Sequence, residues 1–161
     1  MKLTLNVGSG DRTFDEYPKG YKCINFDTRV DLKRVDEVGD VKDLSRFPDE
    51  HFSYILASDI IEHFPISETE TILKEWRRVL KTGEIIEFRL PNLETICREY
   101  LRHKEAKYTS WLLYGGQDYS FNFHYVAFDR EWFKKVVESI GFVEIEFIDE
   151  GNNMVVKFKK I

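Results

Sequence analysis

Cysteines, prolines and long apolar runs are scarce in this sequence of 161 residues. Its two cysteines, Cys23 and Cys97, belong to no Cys-x-x-Cys motif, so we expect two free thiols in a reducing compartment. The longest apolar stretches are only a few residues, too short to cross a bilayer, and residues 1–7 are too short for a signal peptide. These features predict a cytoplasmic protein without a membrane span.

An excess of basic residues is also missing. The 24 Lys and Arg residues stand against 29 Asp and Glu residues, for a formal net charge of −5, which argues against a nucleic-acid-binding surface. No Gly-x-Ser-x-Gly elbow is present, which argues against a hydrolase. With 42% hydrophobic residues and no repeat, the chain can build one sizeable core. We therefore expect a single domain over residues 1–161.

The first apolar run, residues 3–7, predicts a buried strand that breaks at a glycine turn, Gly8-Ser9-Gly10. Glycine at a strand end allows a tight turn and lets a ligand approach the backbone closely. A second predicted strand, residues 22–27, ends in Asp27. In α/β folds that bind adenosine, an acid at this position binds the ribose hydroxyls. The pattern therefore favours an adenosine site, although Gly-x-Gly alone would form a turn in many proteins.

The residues after the glycine turn restrict which adenosine compound fits. Residues 11–21 contain Pro18 and Gly20 and show no helical period, so we expect a loop with at most one helical turn. A dinucleotide site needs a helix whose N-terminal amides face the pyrophosphate, and the third glycine of that fingerprint is replaced by Thr13. A nicotinamide nucleotide is therefore disfavoured. An adenosine compound without phosphates, S-adenosylmethionine, fits better.

Strands and helices alternate along the rest of the chain. This order predicts an α/β fold: a Rossmann-like, mostly parallel seven-stranded sheet with an antiparallel edge strand and helices on both faces. Residues 104–128 are aromatic and irregular, and we expect them to cover the sheet or to form a lid over a bound ligand. The predicted strands are 3–7, 22–27, 35–38, 52–58, 84–90, 142–148 and 154–158. The predicted helices run from a capping box at Ser67 to Gly83, from Asn92 to Leu101 and from Asp129 to Ile140.

Four polar or glycine positions follow four consecutive predicted strands: Gly8, Asp27, Asp40 and Ser58. Carboxyl ends of parallel strands meet at one edge of a sheet, and ligands of such sheets bind there. We therefore expect these four residues to share one cleft.

At this point the chain resembles the class I S-adenosylmethionine-dependent methyltransferases, particularly the small methyltransferase-type-11-like subgroup. The resemblance covers nearly the whole length, and the order of the motifs is more specific than any one motif. The motifs are Leu-Asn-Val-Gly-Ser-Gly at 5–10, Ile-Asn-Phe-Asp at 24–27, Gly-Asp-Val-Lys-Asp-Leu at 39–44, Ala-Ser-Asp-Ile-Ile-Glu-His at 57–63 and Leu-Lys-Glu-Trp-Arg-Arg-Val-Leu-Lys-Thr-Gly at 73–83.

The resemblance implies a set of residues that bind S-adenosylmethionine. Asp27 would accept from the ribose hydroxyls, Asp40 from the adenine amino group, and Ser58 would lie near the sulfonium. Two positions depart from the family pattern: Asn6 replaces an acid, and Arg12 replaces the third glycine. The implied cofactor-binding residues are Asn6, Val7, Gly8, Ser9, Gly10, Asp27, Asp40, Val41 and Ser58.

Two histidines are candidates for catalysis. His63 follows the fourth strand and His124 lies in the aromatic segment, and a neutral imidazole can accept a proton from an acceptor. The alternative is that Glu62 and His63 brace the start of the next helix. Direct methyl transfer needs alignment first, so no catalytic residue is strictly required. No His, Cys, Asp or Glu residues show metal-ligand spacing, and the sequence predicts no metal.

Two functions remain open. The first is methyl transfer to a small-molecule acceptor of unknown identity. The second is a regulatory module of the same fold that binds the cofactor without turnover, which Asn6 and the absent third glycine would allow.

Overall fold

The structure, a computed structural model, describes all residues from 1 to 161. Seven strands and four α-helices form it, together with one turn of 3-10 helix at Ile61–His63. The elements are β1 (Lys2–Val7), β2 (Tyr21–Asp27), β3 (Glu37–Val38), β4 (Phe52–Ser58), α1 (Ile66–Val79), β5 (Leu80–Pro91), α2 (Leu93–His103), α3 (Ala106–Tyr114), α4 (Arg130–Glu138), β6 (Phe142–Glu150) and β7 (Asn153–Lys160).

All seven strands belong to one sheet in the order β3-β2-β1-β4-β5-β7-β6. The pairs β1–β2, β1–β4, β2–β3 and β4–β5 are parallel. β7 runs against both of its neighbours, β5 and β6. The predicted α/β class and mostly parallel sheet are confirmed. Because β1, β2 and β4 are parallel neighbours, their carboxyl ends meet at the same edge.

The hydrophobic core lies on one face of this sheet. Alternate residues of β1, Leu5 and Val7, are completely buried in it, as the two-residue period of a strand requires. Trp76 of α1 and Phe133 of α4 both pack on Phe88 of β5, with ring centroids 6.3 and 4.9 Å away. Helices α1 and α4 therefore cover the same face.

The opposite face of β1 and β2 carries buried polar side chains, Asn6 and Asn25. Asn25 Nδ2 donates to the Phe14 carbonyl at 2.9 Å, and its Oδ1 accepts from the Phe14 amide at 3.0 Å. A loop without helical hydrogen bonds needs such partners for its buried backbone groups. The predicted loop over residues 11–21 is confirmed, since no helix separates β1 from β2.

Helix α1 starts one residue before the predicted capping box. Pro65 occupies the N-cap position, the helix begins at Ile66, and no side chain caps it. Ser67 lies inside the first turn, so its hydroxyl is not at the capping position and the predicted capping box is wrong.

The end of α1 also differs from the prediction. The helix ends at Val79 instead of continuing to Gly83, because Leu80 already pairs with Phe52 of β4. β5 then advances five residues, from 80 to 85, where β4 advances only two, from 52 to 54. Gly83, with φ +82°, lies in this irregular stretch. Sheet pairing therefore overrides the local helical pattern.

The two other predicted helix caps are confirmed. Asn92 accepts a hydrogen bond from the Glu94 amide at 3.2 Å, and Asp129 accepts from the Trp132 amide at 2.7 Å. The third strand is shorter than predicted, and residues 104–128 are less irregular, since they contain α3. None of the helices has the length and apolar character needed to cross a membrane.

The two cysteines differ in reactivity. Cys23 is buried in β2, and burial raises the pKa of its thiol to about 12, whereas Cys97 on α2 is exposed. Because the thiolate is the reactive form, we expect a disulfide reagent at pH 8 to modify one thiol in the native protein and both after denaturation. Spectrophotometric thiol counting measures this. Cys97→Ser should abolish the native reaction and Cys23→Ser should preserve it. Two reactive thiols in the native protein would contradict the expectation.

Candidate functional site

A cavity of about 510 Å³ opens at the carboxyl ends of β1, β2 and β4. Ligands of open parallel sheets bind at this edge. Most of the residues predicted from the sequence line it, including the four that were expected to share a cleft. They are Gly8, Ser9, Gly10, Asp27, Asp40, Val41, Ser58 and His63.

Three predicted residues lie outside the wall of this cavity. Val7 is completely buried in the core, and His124 lines a second cavity. The Asn6 side chain is buried on the other face of β1, where its Nδ2 donates to the Arg12 carbonyl at 2.8 Å and to Asn25 Oδ1 at 3.0 Å. Asn6 therefore fixes the backbone at Arg12 from behind instead of facing the cavity.

The glycine turn depends on the absence of a side chain at Gly8. Its φ is +62°, and a Cβ atom there would lie 2.5 Å from Ile60 Cδ1 and 3.1 Å from Ile60 Cβ. The backbone of the turn at Gly8 therefore packs directly against Ile60, another residue of the cavity wall.

Asp27 connects the end of β2 to the glycine turn. One carboxylate oxygen accepts from the Gly10 amide at 2.8 Å, and the other accepts from the Arg29 amide at 2.9 Å. A carboxylate has about four acceptor sites, so roughly two remain for a ligand. The side chain lines the cavity although the residue is only 7% exposed.

Asp40 and Val41 form the wall beyond β3. One oxygen of Asp40 accepts from the Lys42 amide at 2.9 Å, and the side chain is more than half exposed. Val41 is buried, and its carbonyl accepts from Trp76 Nε1 at 2.8 Å. That bond holds this part of the wall against the core.

A charged network that sequence reasoning missed lies after β4. Ser58 Oγ accepts from Arg12 Nη1 at 3.0 Å and donates to Asp59 Oδ2 at 3.1 Å. Asp59 also pairs with Arg89 of β5 and has a φ of +52°. Arg12 and Asp59 both line the cavity; the resemblance implies that Asp59 lies beside Ser58 on the cavity floor, but nothing in the sequence shows that Arg12 joins them.

The aromatic segment forms the remaining wall of the cavity. The Arg29 guanidinium lies 5.1 Å from the centroid of the Tyr119 ring. The Tyr125 amide donates to the Glu62 carbonyl at 2.8 Å, which fixes the segment to the turn after β4. The lining residues from this segment are Tyr119, Ser120, Phe121, Phe123 and Tyr125.

A second cavity, of about 350 Å³, adjoins the first, and Asp59, His63 and Tyr119 line both. Glu62 and His124 line only the second. The rings of His63 and His124 meet edge to face, with centroids 4.7 Å apart. Sequence reasoning selected the two histidines separately and did not predict that they are in contact.

The acid–base properties of these three groups follow from burial. Burial, together with the nearby Asp59 carboxylate, raises the pKa of Glu62 to about 8. Burial and the neighbouring His124 lower the pKa of His63 to about 4, and burial also lowers the pKa of His124. Both imidazoles are therefore neutral at pH 7 and carry a free lone pair.

This chain has the fold of solved S-adenosylmethionine-dependent methyltransferases, which are compared with it below. More particularly, the family model for the methyltransferase domain matches residues 5–88, just over half of the 161 residues, and the chain belongs to this family. The matched range runs from β1 into β5. The part of the aromatic segment that lines the cavity, residues 119–125, lies outside the matched range.

Three solved structures illustrate the similarity. A SAM-dependent methyltransferase from Methanosarcina mazei has a TM-score of 0.72 at 17% identity, over 99% of this chain and 92% of that one. One from Archaeoglobus fulgidus has a TM-score of 0.69 at 16% identity, over 99% and 86%. A 1,6-didemethyltoxoflavin-N1-methyltransferase from Burkholderia thailandensis, with 1,6-didemethyltoxoflavin and S-adenosylhomocysteine bound, has a TM-score of 0.68 at 12% identity, over 98% and 70%. No curated protein sequence matches the chain significantly.

S-adenosylmethionine is the cofactor of this family, and the larger cavity fits it. A volume of about 510 Å³ lies within the usual range for small-molecule sites, roughly 300–1,000 Å³. Gly8 leaves the backbone accessible, and Asp27 keeps free acceptor sites. No helix begins between Gly10 and β2, so the structure offers no helix N-terminus to a pyrophosphate at this turn.

Proposed function

We propose that this chain transfers a methyl group from S-adenosylmethionine to a small-molecule acceptor. The observation that carries the proposal is the convergence of Gly8, Asp27 and Asp40 on one cavity at the carboxyl ends of the parallel strands. An adenosine compound that extends across these strand ends would meet bare backbone on one side and carboxylates on the other.

The cofactor-binding roles follow from the free hydrogen-bonding groups. Asp27 accepts from the ribose hydroxyls with the sites that Gly10 and Arg29 leave free. Asp40 accepts from the adenine amino group with Oδ2, which the Lys42 amide does not use and which lies 4.0 Å from Lys42 Nζ. The backbone of Gly8, Ser9 and Gly10 contacts the amino-acid tail. Ser58 lies beside this tail, and Asn6 acts as a positioning residue behind the turn.

S-adenosylmethionine supplies an activated methyl group on a positively charged sulfur. Aromatic rings attract such a cation, and Phe64, Tyr119 and Phe121 line the cavity. His63 lines this cavity as well. The chain's main contribution is alignment of donor and acceptor, which supplies a large part of the rate in such displacements.

A general base is a secondary requirement. His63 and His124 have free lone pairs at pH 7, but their lowered pKa values make them weak proton acceptors. They suit an acceptor that loses its proton easily or carries a neutral amine. We therefore assign His63 and His124 to the acceptor side of the site.

The size and position of the second cavity support a small-molecule acceptor. It adjoins the larger cavity at Asp59, His63 and Tyr119, so an acceptor within it reaches the region beside the sulfonium. In this proposal residues 119–125 form the cover between the two ligands, within a single domain that spans residues 1–161.

A thermal-shift comparison tests cofactor binding. S-adenosylmethionine and S-adenosylhomocysteine, each at about 100 times its Kd, should stabilise the protein by roughly 2.7 kcal/mol. For a domain of this size the melting temperature should rise by about 5–10 °C. NAD at the same concentration should leave it unchanged, because no helix begins between Gly10 and β2 to face a pyrophosphate. A shift with NAD alone would contradict the proposal.

Turnover is tested separately. The protein is incubated with S-adenosylmethionine carrying a labelled methyl group and a panel of small hydroxyl and amine compounds, and labelled product and S-adenosylhomocysteine are quantified together. Equal amounts of both support methyl transfer. Cofactor binding without turnover across a broad panel would favour the regulatory alternative.

A further inference from the structure

Glu62 lies beside the two histidines with no hydrogen-bond partner for its side chain. The residue is 1% exposed, and neither carboxylate oxygen is bonded to any protein group. The Nδ1 atom of His63 is likewise buried without a partner. Unsatisfied buried polar atoms are rare and costly in folded proteins, so three of them in adjacent side chains indicate a missing partner.

The three side chains are close enough to share one partner. One ligand atom each from Glu62, His63 and His124 can be chosen so that all lie within 4.8 Å of one another. Ligand atoms around a zinc-sized ion lie about 3–4 Å apart, since each bond is about 2.0–2.2 Å long. Side-chain movements of about 1 Å therefore bring the three groups around a common centre.

The ring of His124 is already oriented for this. Its Nδ1 lies 3.0 Å from the Leu112 carbonyl, which can only accept, so Nδ1 carries the proton and donates it. Nε2 then holds the lone pair. A backbone carbonyl that fixes the second nitrogen of an imidazole is the usual outer partner of metal-binding histidines.

We propose that Glu62, His63 and His124 bind one divalent transition-metal ion. Two imidazoles and one carboxylate are ligands that suit Zn²⁺, Co²⁺, Fe²⁺ or Mn²⁺, whereas Mg²⁺ and Ca²⁺ prefer oxygen ligands alone. Sequence reasoning predicted no metal, because His124 lies 61 positions after His63 and only the fold brings them together.

The position of the ion indicates its use. Three protein ligands leave at least one coordination position open, and His63 lines both cavities. An oxygen or nitrogen of the acceptor can occupy that position and be held beside the cofactor cavity. This use rests on the proposed methyl transfer, whereas binding of the ion does not.

Cobalt binding tests the site directly. Untagged protein is freed of metal with a chelator and titrated with Co²⁺, whose visible absorption reports imidazole and carboxylate coordination, and Zn²⁺ is then added as a competitor. We expect one equivalent of Co²⁺ to bind and Zn²⁺ to displace it. Failure of the wild-type protein to bind either ion would overturn the proposal.

Variants locate the ion. Glu62→Gln keeps the shape of the side chain and His124→Ala removes one ligand, and each should weaken Co²⁺ binding at least tenfold. His51→Ala and His103→Ala, outside the cluster, serve as matched controls and should bind Co²⁺ as the wild type does. Unchanged Co²⁺ binding by both cluster variants would overturn the assignment.

A second readout separates this proposal from the proposed function. The thermal shift with S-adenosylhomocysteine does not involve Glu62 or His124, so it should persist in both cluster variants and thereby show that they are folded. If the wild type kept the thermal shift but bound no Co²⁺, the metal-site proposal would be wrong and the proposed function would be unaffected. If the wild type bound Co²⁺ but showed no thermal shift with S-adenosylhomocysteine, the metal-site proposal would hold and the methyl-transfer proposal would be wrong.

Discussion

Replacing Gly8 by alanine should lower the melting temperature by roughly 5–20 °C and abolish the stabilisation by S-adenosylhomocysteine. The new Cβ would lie 2.5 Å from Ile60 Cδ1, and the backbone would stay at φ +62°. Strain at positive φ costs about 1–3 kcal/mol, and overpacking costs about as much again. Each kcal/mol shifts the melting temperature by roughly 2–4 °C at this size. Thermal unfolding with and without S-adenosylhomocysteine measures both effects.

Two comparisons divide the loss between strain and collision. Gly20 also has a positive φ, +90°, but a Cβ there would meet nothing within 4 Å, so Gly20→Ala should show the cost of strain alone. Combining Gly8→Ala with Ile60→Ala removes the two closest contacts, with Ile60 Cδ1 and Cγ1, and should recover part of the stability; the contact with Ile60 Cβ at 3.1 Å remains. Wild-type melting and ligand response in Gly8→Ala would show that the turn is neither tight nor part of the site.

The position of the site could be predicted from the sequence because it depends on strand order more than on detail. Once the apolar runs ending near Gly8, Asp27 and Ser58 are read as parallel strands, geometry brings their carboxyl ends together. Errors of a few residues in the strand bounds, such as the early start of β5 at Leu80, do not change which ends meet.

Contacts between distant segments could not be predicted in the same way. His63 and His124 were each recognisable as candidates, but nothing local shows that their rings touch. Nothing local shows that Arg12 and Ser58 are in contact either, although they share a hydrogen bond of 3.0 Å across 46 positions of the chain. The histidine contact depends on how the segment after α3 returns to the sheet. The Arg12–Ser58 bond depends on the path of the loop after β1, and both paths are set by tertiary packing.

Asn6 lies in the region that the sequence motif predicts, but its side chain does not face the cavity. The motif places it two residues before Gly8, and the resemblance implies contact with the amino-acid tail. In a strand, residues 6 and 7 face opposite sides, and Val7 faces the core. Asn6 therefore faces the loop over residues 11–21, where it bonds the Arg12 carbonyl. Strand alternation alone would have indicated this orientation.

Replacing Asp27 by asparagine should raise the Kd for S-adenosylhomocysteine by about 10-fold to 100-fold. The carboxylate accepts from the Gly10 and Arg29 amides and has free acceptor sites in the cavity. An amide group offers only one accepting oxygen, and its NH₂ group would face either a backbone donor or the ribose hydroxyls. Hydrogen bonds to a charged group contribute about 1.5–3 kcal/mol, which corresponds to this change in affinity. Isothermal titration calorimetry measures it.

The matched control is Asp31→Asn, which makes the same change in charge at an exposed acid outside the cavity wall. It should bind S-adenosylhomocysteine like the wild type, so that a loss specific to Asp27→Asn reflects the lost acceptor and not the net charge. Asp27 holds the glycine turn and also faces the ligand, and two measurements separate these roles. A lower melting temperature without ligand reports the weakened hydrogen bond to Gly10. A higher Kd, measured at a temperature where both variants are folded, reports the lost ligand contact. If Asp27→Asn lost stability but kept its affinity, Asp27 would serve only to hold the glycine turn, and the ribose would have to bind elsewhere in the cavity.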